Sequence, residues 1–217
     1  MTRHAIYAAP RPGPLADAAA RWLGRDAQSG ARLAAPHPAL TASAARYGFH
    51  ATIVAPMRLR EGLALADLIA GLDAFCATQR AIALEGLALT SLEGFLALAP
   101  EGPVEALNAL AAAAVRHFAP FRAPLTEAEL VRRNPAALTP RQRDLLDTFG
   151  YPYVMDEFRF HMTLSDRLTA EQQAILWPQA QAQVLAHAPR PMPIDSLVLC
   201  SEGADGLFHH THRAPLP

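Results

Sequence analysis

The chain has 217 residues, of which 51% are hydrophobic, and this is enough to fill the core of one sizeable globular unit. Its net charge is −1 and all 19 basic residues are arginine, which argues against an extended nucleic-acid partner. Cys76 and Cys200 form neither a CxxC knuckle nor a disulfide framework, and no run has the apolar length of a signal peptide or a membrane helix. A soluble cytoplasmic protein without a membrane partner is therefore expected. The sequence indicates no oligomeric state.

The N-terminal part is predicted to hold one strand and one helix. A β-prone run over residues 4–9 is stopped by Pro10 and Pro12, and a helix over residues 16–23 ends at Gly24. Residues 25–45 are rich in Ala, Pro, Ser and Gly with little periodicity, which predicts a loop with room for a short helix.

A repeat of four elements is predicted over about residues 45–100. A strand contains His50-Ala51-Thr52-Ile53 and is closed by Pro56. An amphipathic helix follows over residues 63–79, and two β-prone runs, 82–90 and 95–99, form a hairpin.

The same order of elements returns over about residues 156–213. A strand with His161-Met162-Thr163-Leu164 precedes a helix over residues 170–187 and a hairpin of residues 194–200 and 207–211. Each unit alone would expose an apolar sheet face, so the two units should pack together. The predicted fold class is α+β, with duplicated strand-helix-strand-strand units that form two lobes around a central cleft within a single domain, residues 1–217.

A helical insertion over about residues 103–150 separates the repeats. Helices are predicted over residues 104–118, 126–133 and 139–149, with Thr126 and Thr139 as N-caps. Residues 116–143 contain six arginines and two acidic residues, so the insertion is locally basic. Two interpretations stand: a solvated helical hairpin on the rim, or a lid over an anionic substrate.

The paired H-x-T segments are the candidate functional residues. Side chains alternate between the two faces of a strand, so His50 and Thr52 share one face, as do His161 and Thr163. In both segments an aromatic residue precedes the histidine and an aliphatic residue follows the threonine, a context that a third H-x-T at residues 209–211 lacks. The alternative is a pair of core histidines satisfied by threonine hydroxyls.

The stretches RYGFHATIVAPMRL and DEFRFHMTLSDRL, in a duplicated α+β chain, resemble the 2H phosphoesterase superfamily. Within it, they are similar to the 2H-like proteins encoded beside phosphonate-utilisation genes. The resemblance covers nearly the whole chain and implies a bilobal fold and metal-free phosphodiester chemistry. It implies that the catalytic set comprises His50, Thr52, His161 and Thr163. It also implies a small phosphorylated partner, such as a cyclic phosphate on a phosphorylated ribose.

The residue chemistry is compatible with that activity. One imidazole can activate water while the other protonates the departing sugar oxygen, and the sequence leaves open which is the base. The two threonines can donate hydrogen bonds to phosphoryl oxygens. Arg46 and Arg159 are assigned to the same strand faces and can pair with phosphate, or else are strand-end surface residues. Tyr47 can stack on a base or sugar, or else is a packing residue.

Other chemistries are disfavoured. His209, His210 and His212 have no carboxylate or cysteine at ligand spacing, so no metal site is expected. The sequence has no G-x-S-x-G elbow and no P-loop. We therefore expect a hydrolase that opens a small cyclic phosphodiester on a ribose, without cofactor or metal. The alternative is a non-catalytic module that binds a nucleotide or an RNA end in the same cleft.

Overall fold

A computed structural model describes residues 2–217 as alternating strands and helices. The strands are β1 (His4–Ala8), β2 (Ala51–Met57), β3 (Ile82–Leu84), β4 (Gly86–Leu92), β5 (Phe95–Glu101), β6 (Met162–Thr163), β7 (Met192–Ile194), β8 (Ser196–Glu202) and β9 (Phe208–Pro215). The helices are α1 (Pro14–Leu23), α2 (Pro38–Tyr47), α3 (Leu65–Ala77), α4 (Glu105–Phe118), α5 (Glu127–Arg133), α6 (Pro140–Phe149) and α7 (Ala170–Gln183). The predicted α+β class is confirmed.

Seven strands form one antiparallel sheet in the order β4-β5-β6-β2-β1-β8-β9. The two strands that carry the histidine segments, β2 and β6, are neighbours near its centre. A separate two-stranded sheet joins β3 to β7, the equivalent short strands of the two repeats. The sheet therefore brings the two H-x-T segments side by side.

The predicted division into two lobes is not confirmed. Each repeat has the predicted strand, helix and hairpin in the predicted order, with an additional short strand, β3 or β7, before the hairpin. The other strands of both repeats share one sheet. The hairpin of the first repeat, β4 and β5, pairs with β6 of the second, and β1 joins β2 to β8. Pairing across the repeats satisfies backbone groups that two separate lobes would leave at open sheet edges. The repeat boundaries themselves stay a prediction.

The sheet has two different faces because side chains alternate along each strand. One face carries Ile6, Ala51, Ile53 and Met162, which belong to a large core shared with the helices. The other face has a small apolar cluster that includes Tyr7 and is open above the centre of the sheet. Helices α1, α3, α4 and α7 contribute to the core on the first face, whereas residues of α2 and α5 border the opening above the other.

The short strand β6 is held in place by side-chain hydrogen bonds. Trp22 of α1 is 1% exposed, and its indole N–H donates to the carbonyl oxygen of Leu164 at 2.8 Å. The buried Ser165 hydroxyl accepts from the backbone N–H of Leu96 at 2.9 Å. These contacts fix the chain directly after Thr163, where strand pairing is limited to two residues.

Three local predictions are refined. The loop expected over residues 25–45 ends in the ten-residue helix α2, which extends to Tyr47. The caps at Thr126 and Thr139 form, and each accepts a hydrogen bond from the backbone N–H three residues later. In the part of the chain that the structure describes, the helices are all too short or too polar to cross a bilayer.

Candidate functional site

The four H-x-T residues meet at the centre of the sheet. Ala51 is paired with Met162, and both side chains are buried in the main core. In an antiparallel pair this register sets His50 opposite Thr163 and Thr52 opposite His161, on the face away from the core. All four side chains are half-buried, in contrast to the buried residues between them.

His50 is held in a defined orientation and tautomer. Its Nδ1 lies 2.9 Å from the carbonyl oxygen of Gly48, which can only accept, so Nδ1 carries the proton. Nε2 is then unprotonated in the neutral ring and lies 3.2 Å from Thr52 Oγ1. The ring of Tyr7 stacks on the imidazole with the centroids 3.7 Å apart.

The surroundings of His50 favour its neutral form. The pKa of the imidazole is lowered to about 4, chiefly by burial and to a smaller extent by the nearby His161 and His210, while the hydrogen bond to the Gly48 carbonyl acts in the opposite direction. His50 is therefore neutral near pH 7, with Nε2 unprotonated.

Gly48 provides the backbone geometry on which this orientation depends. Its φ is 76°, in the left-handed region, and an added Cβ would lie 2.5 Å from the Cβ of Ala27. The glycine ends α2 and directs its carbonyl at the His50 ring. A larger residue here would displace the carbonyl that fixes the tautomer.

His161 is tethered in the same way. Its Nδ1 donates to the carbonyl oxygen of Arg159 at 2.8 Å, so Nε2 is again the free nitrogen. The ring packs against Phe95, with the centroids 5.7 Å apart. Both imidazoles therefore use the carbonyl two residues earlier as the acceptor that sets their orientation.

A cavity of about 550 Å³ opens above this face of the sheet. His50, Thr52 and Thr163 line it, whereas His161 contacts the lining residue Phe95 without lining the cavity itself. Its charged lining residues are Arg3, Arg46, Arg132, Arg133, Arg167, Glu129 and Asp166. Arginines outnumber carboxylates, so the cavity favours an anionic ligand.

Two of the three predicted substrate-binding residues lie at the cavity. Arg46 and Tyr47 line it, but they belong to α2, so the strand-face assignment of Arg46 is wrong. The Arg46 guanidinium is held by the Glu202 carboxylate at 2.9 Å and by the Gly206 carbonyl at 3.0 Å. Arg159 is exposed and is not a lining residue, because the chain before His161 is irregular and the period of two does not apply.

The basic insertion forms part of the cavity wall. Arg132 and Arg133, in the last turn of α5, line the cavity together with Tyr151. Arg133 is half-buried, forms no ion pair among residues 2–217, and lies over the Tyr151 ring at 4.7 Å. The sequence did not identify Arg132 and Arg133 individually as lining residues. The excess of arginine in the insertion was the one feature of the sequence that indicated a basic surface there.

Tyr7 is a further lining residue that the sequence did not single out. It lies in the short β-prone run before the first prolines, far from both motifs in sequence. Strand β1 pairs with β2 so that Tyr7 is opposite Thr52. Only this strand pairing brings it to the site.

The C-terminal histidines have separate partners. His209 Nε2 lies 3.1 Å from Asp205, and His212 Nε2 lies 2.7 Å from Asp73. Burial lowers the pKa of His210 to about 4. Residues 2–217 contain no group of three His, Cys, Asp or Glu side chains placed to hold a metal ion.

Residues 52–209 match the family described as "Protein of unknown function (DUF1045)". Two curated relatives are each named ribose 1,5-bisphosphate phosphokinase PhnN. The one from Janthinobacterium sp. (strain Marseille) is 39% identical over 99% of this chain and 51% of its own length. The one from Laribacter hongkongensis (strain HLHK9) is 33% identical over 94% and 49%. The chain thus spans about half the length of the curated relatives it matches.

Two solved structures are similar at low sequence identity. A structure titled "Crystal structure of phosphoesterase" has 14% identity and a TM-score of 0.45, covering 100% of this chain and 99% of that one. Protein TT0787 of Thermus thermophilus has 16% identity and a TM-score of 0.39, covering 77% of this chain and 78% of that one.

Proposed function

The chain belongs to the DUF1045 family and resembles 2H phosphoesterases, and from this we propose a function. We propose that it hydrolyses a small cyclic phosphodiester by metal-independent general acid–base catalysis with two histidines. One observation carries the proposal. The two H-x-T segments occupy neighbouring central strands, with their histidines and threonines on the face below an arginine-rich cavity. A base, an acid and hydrogen-bond donors for a phosphoryl group are thereby gathered at one place.

In the proposed reaction His50 is the base and His161 the acid. The neutral Nε2 of His50 takes a proton from water as its oxygen forms a bond to phosphorus. The bond from phosphorus to one ring oxygen breaks, and His161 gives that oxygen its proton. Thr52 and Thr163 donate hydrogen bonds to the non-bridging oxygens, where negative charge increases. The product is a phosphomonoester beside a free hydroxyl.

The proposed substrate is a cyclic phosphate on a ribose that carries a second phosphate. The excess of arginines around the cavity supports a ligand with more than one negative group. The relatives named as ribose 1,5-bisphosphate phosphokinases support it as well, since opening a 1,2-cyclic phosphate on ribose 5-phosphate yields a ribose 1,5-bisphosphate. The resemblance to proteins of phosphonate-utilisation operons is consistent with this substrate.

The test is a screen of purified protein against 2′,3′-cyclic nucleotides, linear phosphodiesters and ribose cyclic phosphates, each with and without EDTA. We expect turnover of small cyclic phosphates that survives chelation, because both tethered imidazoles act without a metal in the proposed reaction. An activity that EDTA abolishes and zinc or manganese restores would contradict it. Faster cleavage of oligonucleotides than of any small cyclic phosphate would refute the substrate class.

Arg133→Ala should selectively weaken the use of doubly phosphorylated substrates. We expect kcat/KM for a 5-phosphorylated ribose cyclic phosphate to fall by about 10- to 100-fold, as expected for a lost charge-assisted contact, with little change for the unphosphorylated analogue. Arg143→Ala is the matched control, since Arg143 is an exposed insertion residue outside the cavity lining. Equal losses on both substrates would show that Arg133 does not bind the second phosphate.

The pH dependence of kcat/KM should be bell-shaped. The reaction needs His50 neutral and His161 protonated, so the rate falls when both are charged and again when both are neutral. Because burial lowers the pKa of His50 to about 4, the acidic limb should lie below that of a free imidazole. A profile with a single limb, measured between about pH 3.5 and 10 at constant ionic strength, would contradict the two-histidine mechanism.

The second candidate is a non-catalytic module that binds a nucleotide or an RNA end in the same cavity. The observation in its favour is that His161 packs beside Phe95 instead of lining the cavity. Such a module would bind a nucleoside cyclic phosphate tightly in titration calorimetry without converting it. Turnover that depends on both histidines would eliminate it.

A further inference from the structure

Tyr7 lies beside the candidate base His50, and both residues line the cavity. It is fully buried in β1, where it is paired with Thr52, and its ring stacks on His50 with an interplanar angle of 27°. It also belongs to a small apolar cluster that includes Cys200 and Phe208. Its ring therefore limits how far the imidazole of His50 can rotate or move.

The hydroxyl of Tyr7 is the unusual part of this arrangement. The oxygen is buried and has no hydrogen-bond partner among residues 2–217, although the residue lines the cavity. An unsatisfied buried hydroxyl destabilises a fold, and phenylalanine would provide the same stacking surface without that cost. Packing alone therefore does not account for a tyrosine at this position.

We propose that Tyr7 is a further catalytic residue: its ring holds His50 in place, and its hydroxyl donates a hydrogen bond to a phosphoryl oxygen of the bound substrate. This rests on the proposed hydrolysis of a phosphodiester. Hydrogen bonds of this kind form fully only when the substrate is bound, which is consistent with a hydroxyl that has no partner among the described residues of the free protein.

The surroundings of the hydroxyl suit a donor to an anion. Arg3, Tyr47 and Tyr151 line the same cavity as Tyr7, so a positive charge and two further phenols border it. Burial raises the pKa of the Tyr7 phenol well above its usual value, so the group keeps its proton throughout the pH range in which imidazoles titrate. A protonated donor in a region that excludes water interacts strongly with developing negative charge.

Tyr7→Phe is the informative substitution because it removes the hydroxyl and keeps the ring on His50. We expect kcat to fall by about 10- to 100-fold, the range for one hydrogen bond to a charged group. The melting temperature should stay the same or rise, and the acidic limb of the pH profile should not move, because the imidazole keeps its environment. The affinity for inorganic phosphate, followed through the NMR signals of His50, should fall in parallel.

Tyr153→Phe is the control, since Tyr153 is 43% exposed and lies outside the cavity lining. A Tyr7→Phe protein with wild-type kcat and wild-type affinity for phosphate would overturn the proposal. A fall in kcat accompanied by a matching fall in melting temperature would overturn it as well. The phosphate titration keeps this test separate from the proposed reaction. If the wild-type protein turned over no cyclic phosphate, a hydroxyl-dependent affinity for phosphate would still establish the contact.

Discussion

His50→Ala and His161→Ala are each expected to lower kcat by about 10²- to 10⁴-fold, the range for loss of a general acid or base. Each removes one of the two proton-transfer groups that the reaction needs. The double variant should lose much less than the product of the single losses, because acid and base act as a unit. Steady-state kinetics on the best small cyclic phosphate of the screen would measure all three.

The matched control for these variants is His212→Ala, which removes an imidazole paired with Asp73 outside the cavity lining. It should retain wild-type kinetics. Thr52→Val and Thr163→Val should reduce kcat less than either histidine variant, since each removes one hydrogen bond to the phosphoryl group. Unchanged kinetics in one histidine variant would exclude that histidine from the mechanism.

Trp22→Ala is expected to lower the free energy of unfolding by about 3 to 5 kcal/mol, the usual cost of truncating a large buried side chain. The indole is 1% exposed, so its loss leaves a cavity in the core, and the carbonyl of Leu164 loses its donor. Because Leu164 follows Thr163 directly, the substitution should also disorder the short strand β6 and reduce activity.

Chemical denaturation with far-UV circular dichroism would measure this effect. Trp177, which is only half-buried, provides the control, and Trp177→Ala should cost clearly less. The loss of unfolding free energy in Trp22→Phe should lie between those in Trp22→Ala and Trp177→Ala, because phenylalanine keeps most of the packing and loses the hydrogen bond. A Trp22→Ala protein as stable as the wild type would show that the contact between Trp22 and Leu164 does not hold β6 in place.

The helical insertion shows which features local sequence and composition can predict. Its helices and their caps at Thr126 and Thr139 follow from local capping chemistry, which depends on residues three positions apart. The excess of arginine is equally visible in the sequence, but composition does not decide between a solvated helical hairpin on the rim and a lid over an anionic substrate. The position of α5 depends on tertiary contacts such as that between Arg133 and the ring of Tyr151, which local capping and composition do not specify.

Arg46 illustrates the limit of periodicity. The strand period of two does not extend backwards from His50 to Arg46, because Arg46 lies in the helix α2, which ends before Gly48. Arg46 still reaches the cavity, but from the helix and with its guanidinium engaged by Glu202. The alternation holds only where the backbone is extended, and the helix ends only a few residues before the strand begins.

By itself the sequence determined the α+β class, the strand, helix and hairpin order that recurs along the chain, and the shared face of His50 and Thr52, because these depend on local periodicity, turn residues and caps. Only the tertiary structure decided that β2 and β6 are neighbours in one sheet, that Tyr7 stacks on His50, and that Arg133 lines the cavity. These are contacts between distant parts of the chain. They arise because strands from both repeats satisfy their backbone hydrogen bonds in a single sheet, and local sequence patterns do not specify which strands will pair.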